Sequence, residues 1–277
     1  MGTFVVVLNA VVIAVVIAIL VYGAIRFVAG LIIFQPTRYP DGWWDTQTKL
    51  GARDVWLNAS DGVRLHAWWL EAPGSRIATL YLHGNGGNLA YRPGHLREIV
   101  AAGSSVLILD YRGYGRSSGR PTERGLYRDA DAAYDYLIGQ GYRSEQIVLH
   151  GESLGSAVAV DLAARRPCAG VILECPFPSI AYMAGRIVPL LGPLFVRGFD
   201  TRRKIAQVHA PVLIIHGDDD RRVPYTAGRE LFEAAHEPKS FWVVEGARHL
   251  TIVEVGGARY RTRLQSFYES IGLGSRV

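Results

Sequence analysis

The pentapeptide Gly151-Glu152-Ser153-Leu154-Gly155 constrains this chain more than any other feature. It follows Ile147-Val148-Leu149, an aliphatic and β-branched run of strand character, and precedes a helix-like stretch from Ser156 to Arg165. A strand that turns sharply through Gly-x-Ser-x-Gly into a helix is a nucleophile elbow, which presents its serine on the rim of a sheet. The glycines permit the tight turn and let strand and helix pack closely around the serine. The other use of such a serine is as an N-cap at an ordinary helix start.

Two further strand ends bear on that choice. Val212-Leu213-Ile214-Ile215 runs into His216-Gly217-Asp218-Asp219-Asp220 and then Val223-Pro224, and Phe241-Trp242-Val243-Val244 runs into Glu245-Gly246-Ala247-Arg248-His249. Serine, aspartate and histidine therefore come in that order, each just past the C-terminal end of a predicted strand. Such ends lie together on one rim of a parallel sheet. A serine hydroxyl is a weak nucleophile at neutral pH. His249 would take its proton and later return one to the leaving group, while an aspartate holds the imidazole in the right tautomer. Spacing alone leaves the acid open among Asp218, Asp219 and Asp220. After Tyr81-Leu82 the turn His83-Gly84-Asn85-Gly86-Gly87 can offer a backbone N–H to a developing oxyanion, together with the amide that follows the nucleophile. These glycines have neither dinucleotide nor Walker spacing, so no nucleotide cofactor is expected. No Cys/His spacing resembles a zinc site, and none of His83, His150 and His216 is expected to bind metal; each reads as structural. Cys168 and Cys175 are too few for a disulfide framework.

Leu82 to Asn88, Asp110-Tyr111-Arg112-Gly113-Tyr114-Gly115, the elbow, and Gly217 to Pro224 together resemble the α/β-hydrolase superfamily. Within it they are similar to the membrane-anchored serine hydrolase branch, the Bem-like proteins. The resemblance covers about Ala52 to Tyr268. It implies that the acid sits in a Gly-x-x-Asp-x-x-Val-Pro segment, which selects Asp220, and that the oxyanion hole is made by the amides of Asn85 and Leu154. The second glycine often found after the elbow is Ser156 here, which is small enough for close packing.

Phe4 to Ile25 carries no charged residue and is nearly all Val, Ile, Leu and Ala. That length spans a hydrocarbon core of roughly 30 Å as a helix. A cleavable signal peptide fits worse, because there is no basic n-region and the apolar run exceeds roughly 7–15 residues. Residues 1–34 are therefore read as an uncleaved single-pass anchor and its exit, 35–51 as a linker, and 52–277 as the hydrolase domain. Arg26, Arg38, Lys49 and Arg53 come after the span and only the amino terminus precedes it, a small bias toward a cytoplasmic domain. The anchor is expected to supply location rather than chemistry, since every triad candidate lies after Leu80. The net charge of +5 and pI near 9.3 come from basic residues scattered among acids, which suits an anionic membrane surface and not a nucleic acid.

Beyond the anchor, apolar runs alternate with helical stretches. Antiparallel strands are predicted at Val55–Leu57 and Val63–Leu70. Further strands are predicted at Ile77–Leu82, Val106–Asp110, Ile147–Leu149, Val171–Glu174, Val212–Ile215 and Phe241–Val244. Helices are predicted near Leu89–Ala102, Thr122–Gly139, Ser156–Arg165, Tyr225–Ala235 and Ile252–Ile271. This is a mainly parallel sheet covered by helices on both faces. Pro178 to Lys204 interrupts the alternation with Ile187, Val188, Leu190, Leu191, Leu194, Phe195 and Val196. It can form an apolar cap over the site, pack against the sheet edge, or touch the bilayer. Trp43 and Trp44 can likewise sit at the interface or against the domain. The expected activity is hydrolysis of an acyl or lipid-like ester or thioester, the substrate being a small molecule or an acylated protein. A peptidase or amidase on the same triad and a non-catalytic membrane-tethered module are the alternatives.

Overall fold

The computed structural model describes residues 2–190 and 192–273; Met1, Leu191, the last four residues and a few side chains of the first helix, Arg26 among them, lie outside the description. The sheet has eight strands: β1 (Arg53–Asn58), β2 (Arg64–Leu70), β3 (Ala78–Leu82), β4 (Ser105–Leu109), β5 (Ile147–Glu152), β6 (Gly170–Glu174), β7 (Val212–Gly217) and β8 (Lys239–Val244). Their order across the sheet is β1-β2-β4-β3-β5-β6-β7-β8. The β1–β2 and β2–β4 pairs are antiparallel and every other pair is parallel. β3 and β5 are buried along their whole length, on both faces, and β3 and the first half of β5 are accordingly mostly apolar. β1 at the edge instead alternates exposed and buried residues toward its end.

One core lies on each side of the sheet. Leu80, Leu107, Leu149 and Val158 belong to one, and Tyr81, Ile108, Ile172 and Tyr260 to the other. The covering helices include α3 (Pro93–Ala101), α4 (Glu123–Gly139), α5 (Leu154–Ala163), α9 (Tyr225–Ala234), α10 (Ile252–Gly256) and α11 (Ala258–Ser270). Two predicted helices differ in detail. Leu89–Tyr91 is a separate 3₁₀ turn because Pro93 opens α3, a position where its missing N–H is harmless. The single helix expected over Ile252–Ile271 is two, since Gly257 takes φ +51° between α10 and α11.

The N-terminal helix α1 (Gly2–Ile33) has 32 residues, and Val7–Ile33 is long and apolar enough to cross a membrane, with a mean hydropathy of 2.7. The segment after α1 is docked rather than loose. Gln35–Pro36 pairs in parallel with Gly86–Gly87, Arg38 bridges Gly115, and a short helix α2 (Thr46–Leu50) leads into β1. Trp44 packs edge-on against Trp68, with ring centroids 5.6 Å apart, whereas Trp43 stays exposed beside Tyr91. Between β6 and β7 the predicted cap becomes three short helices, α6 (Ile180–Ile187), α7 (Gly192–Phe195) and α8 (Thr201–Ile205).

Candidate active site

Ser153 stands alone between β5 and α5 at φ +50° and ψ −111°. That conformation costs a residue with a side chain on the order of 1–3 kcal/mol and persists only where its surroundings impose it. The neighbouring glycines show how they do so. A Cβ on Gly151 would lie 2.4 Å from the Gly155 carbonyl oxygen, and one on Gly155 would lie 1.8 Å from that of Leu82. The Ser153 amide donates to the Glu174 carbonyl at 2.8 Å, and the Ser156 hydroxyl donates to that of Gly151 at 2.8 Å. Ser156 therefore ties the helix to the strand in place of a third glycine.

The structure brings Ser153, His249 and Asp220 together. His249 Nε2 lies 3.0 Å from Ser153 Oγ, and His249 Nδ1 lies 2.7 Å from Asp220 Oδ2. The carboxylate can only accept, so Nδ1 carries the proton and Nε2 is free to accept from the serine. The other carboxylate oxygen, Asp220 Oδ1, accepts from the amides of Arg222 and Val223 at 2.9 Å each. Burial pushes this carboxyl up, but hydrogen bonding to His216 and His249 outweighs it and holds Asp220 ionised, below the usual carboxylate range. Asp218 instead accepts from the Gly246 amide at 2.7 Å, and Asp219 faces Arg221 at 3.2 Å.

Asn85 and Leu154 both border the space in front of Ser153. The Leu154 amide is the first of α5, and the opening N–H groups of a helix have no intrahelical acceptor and favour negative charge. The backbone at Asn85 is held through the carbonyl one peptide further on, which accepts from the Gln35 amide at 3.2 Å and the Tyr114 hydroxyl at 2.9 Å. Tyr111 does the same for the His83 carbonyl at 3.1 Å. The tyrosines of the Asp110-to-Gly115 motif are thus props of the loop, a role its sequence does not announce.

His83, His150 and His216 are all fully buried. His83 donates to the Gly84 carbonyl, and burial, assisted by the charge of Arg92, lowers it to about 4. His216 donates to the Val223 carbonyl and lies 3.5 Å from Asp220, so it also frames the acid. His150 and His95 both face Glu174, at 2.5 and 3.2 Å. Beside them Arg92 grips Glu152 of the elbow at 2.5 Å and the Gly86 carbonyl of the glycine turn at 3.1 Å, a link between the two loops that sequence spacing does not reveal. Cys175, Asp220 and His249 bring three potential ligand atoms within 4.8 Å of one another. This set suits a metal poorly: Asp220 and His249 already bind each other, and burial raises the Cys175 thiol far above the range in which it becomes a thiolate ligand.

Two cavities meet at Ser153 and His249. One, of about 460 Å³, is apolar and lined by Leu154, Phe177, Met183, Val188 and the end of α1. The other, of about 700 Å³, is mixed, with the charged groups of Arg92, Arg97, Glu98 and Glu254 set among apolar residues such as Trp43, Leu250 and Val253. Arg222 borders both. Ala29, Ile32 and Ile33, near the end of α1, form part of the apolar wall.

The profile of the family described as "Serine aminopeptidase, S33" matches residues 75–203 and 194–256. An uncharacterized protein of Mycobacterium tuberculosis is 43% identical over 202 residues, covering 71% of this chain and 72% of that protein. The mouse alpha/beta hydrolase domain-containing protein 17C is 35% identical over 236 residues, covering 81% of this chain and 70% of that one. Among solved structures, the Pyrococcus furiosus esterase Pf2001 superimposes with a TM-score of 0.72 at 21% identity, covering 86% of this chain and 98% of its own. At that identity the likeness is one of fold.

Proposed function

Because this chain belongs to the α/β-hydrolase superfamily, we propose that it is a membrane-anchored serine hydrolase that cleaves acyl esters or thioesters through an acyl-serine intermediate. The observation that carries this reading is the unbroken chain of hydrogen bonds from Asp220 through His249 to Ser153. The Ser153 proton passes to His249 Nε2 as Oγ attacks the substrate carbonyl carbon. Asp220 stabilises the imidazolium that forms. The amides of Asn85 and Leu154 receive the negative charge on the former carbonyl oxygen. The bond to the leaving oxygen or sulfur then breaks, and His249 delivers its proton to that atom. Water repeats the sequence on the acyl-serine and restores the free hydroxyl.

The two cavities support an apolar acyl group on one side of Ser153 and a polar leaving group on the other. The long apolar helix α1 supports a bilayer tether, with the basic residues after it favouring a cytoplasmic domain. Replacing Ser153 with alanine tests the chemistry. Ester hydrolysis should fall on the order of 10⁴–10⁶-fold in kcat, and labelling by a fluorophosphonate should vanish. Near-native turnover by purified Ser153→Ala protein would remove Ser153 from the mechanism.

A further inference from the structure

Helix α1 is longer than a bilayer requires. Its 32 residues measure roughly 48 Å at about 1.5 Å per residue, against a hydrocarbon core of about 30 Å. About twelve residues are left over, enough for its last three turns to reach the domain. The last turn and a half does so on one face. Ala29, Ile32 and Ile33, spaced as neighbours on a helix, form a wall of the apolar cavity that contains Ser153. Phe34 comes next, with its ring 6.1 Å from that of Phe199. The facing wall comes from the cap, through Met183, Ile187 and Val188 of the α6 region, and α7 lies against α1.

The cap tip is apolar and uncovered. Ile187, Leu190 and Leu194 are 72%, 87% and 62% exposed. α7 lies against α1, whose flank is likewise apolar and exposed, so the surroundings that suit the helix also suit the tip. The cavity itself has little charge: among the described residues, Arg222 and His249 are its only ionisable lining groups, both at the end shared with the larger cleft.

We propose that the acyl pocket opens toward the bilayer, between the last turns of α1 and the cap tip, and takes the acyl chain of a membrane-resident ester or thioester sideways from the lipid. This rests on the reading of Ser153 as nucleophile. The chain lies along Ala29, Ile32 and Met183, its carbonyl reaches Ser153, and the polar leaving portion enters the cleft of Arg92 and Arg97. After the carbonyl–heteroatom bond breaks, the leaving group departs on the aqueous side while the acyl group stays on the serine until water releases it. Helix α1 is then part of the binding site as well as the tether.

The test uses the full chain in phosphatidylcholine vesicles. Substrates are nitrophenyl esters of increasing chain length in water and a long-chain fluorogenic ester dissolved in the bilayer. The wild type should gain about fourfold in kcat/KM per added methylene until the pocket fills. Ile32→Trp, which fills the α1 wall, should lower the ratio of long-chain to short-chain kcat/KM at least tenfold, and the milder Ala29→Leu should move it the same way. Leu190→Asp with Leu194→Asp should lower turnover of the bilayer ester relative to that of the soluble short ester. Fluorophosphonate labelling of each variant reports whether the folded site is intact. A labelled Ile32→Trp and a labelled Ala29→Leu with wild-type chain-length profiles overturn the α1 wall. A labelled cap-tip variant with the wild-type ratio of bilayer to soluble turnover overturns lateral entry. A wild-type chain that fails to label overturns the nucleophile reading itself, and this proposal with it.

Discussion

The hydroxyl of Tyr114 donates to the carbonyl oxygen of Asn85 at 2.9 Å, from a buried ring on a loop 29 residues away in sequence. The same carbonyl accepts from the Gln35 amide just past α1. The Asn85 carbonyl is thus held from two directions, and the peptide that carries the Asn85 N–H is held at its own oxygen, the Gly84 carbonyl, by His83 Nδ1 at 2.7 Å. A flexible Gly-rich loop becomes a fixed donor because groups distant in sequence also grip it.

Tyr114→Phe keeps the ring packing and removes this one donor. The loss of a net hydrogen bond of roughly 0.5–1.5 kcal/mol should lower kcat about 2–10-fold if the loop loosens in the transition state. KM for a short soluble ester should change less. Steady-state kinetics separates the two. A fall in Tm with unchanged kcat would make Tyr114 a packing residue only.

Asp220→Asn should lower kcat roughly 10⁴-fold, because an amide in place of the carboxylate favours the wrong tautomer of His249. Asp219→Asn should leave kcat within about threefold, since Asp219 is a loop residue that faces Arg221. Asp218→Asn sits between the two in effect, as it weakens the bond to the Gly246 amide that leads toward His249. Equal losses at all three positions would contradict the geometry.

Gly155→Ala should destabilise the fold by roughly 1–3 kcal/mol or more, because the new methyl would lie 1.8 Å from the Leu82 carbonyl oxygen. At roughly 2–4 °C per kcal/mol for a domain of this size, calorimetry should show a drop of several degrees in Tm. An unchanged Tm would mean that β3 and α5 yield without cost.

Acid should erode stability through the group behind the elbow. Burial pushes the Glu152 carboxyl up, but Arg92 and His95 outweigh it and hold it at about 2. A carboxyl depressed in the fold contributes stability that is complete above its unfolded value, near 4.5, and lost as pH falls toward about 2. His83, held at about 4 chiefly by burial, adds a loss of the same sign as pH falls from 6.5 toward about 4. Glu152→Gln should melt below the wild type at pH 7, because it leaves the buried Arg92 without its partner, and the gap should narrow below about pH 4.5. A gap that stays constant down to pH 3 would show that the pair does not depress Glu152.

Much of this architecture is legible in the sequence because its signals are local. Most of the eight strands contain an apolar run bounded by turn residues, and each site loop begins where such a run ends. Strand, elbow and helix arise from five residues, since only glycine fits at 151 and 155. The order serine, aspartate, histidine also came from short segments, the choice of Asp220 among three aspartates came from the resemblance, and the fold sets those three side chains within hydrogen-bond reach. What only the tertiary structure decided depends on residues brought together from far apart. Nothing local in Tyr114 points to Asn85, nothing in Arg92 points to Glu152, and an apolar helix reads as a span whatever its last turn touches. Ala29, Ile32 and Ile33 belong to the long apolar run and also line the cavity. Hydropathy cannot separate these two surroundings, so the sequence makes α1 a helix long and apolar enough to span a membrane, and only the packing of its end beside the cap makes it a wall of the cavity.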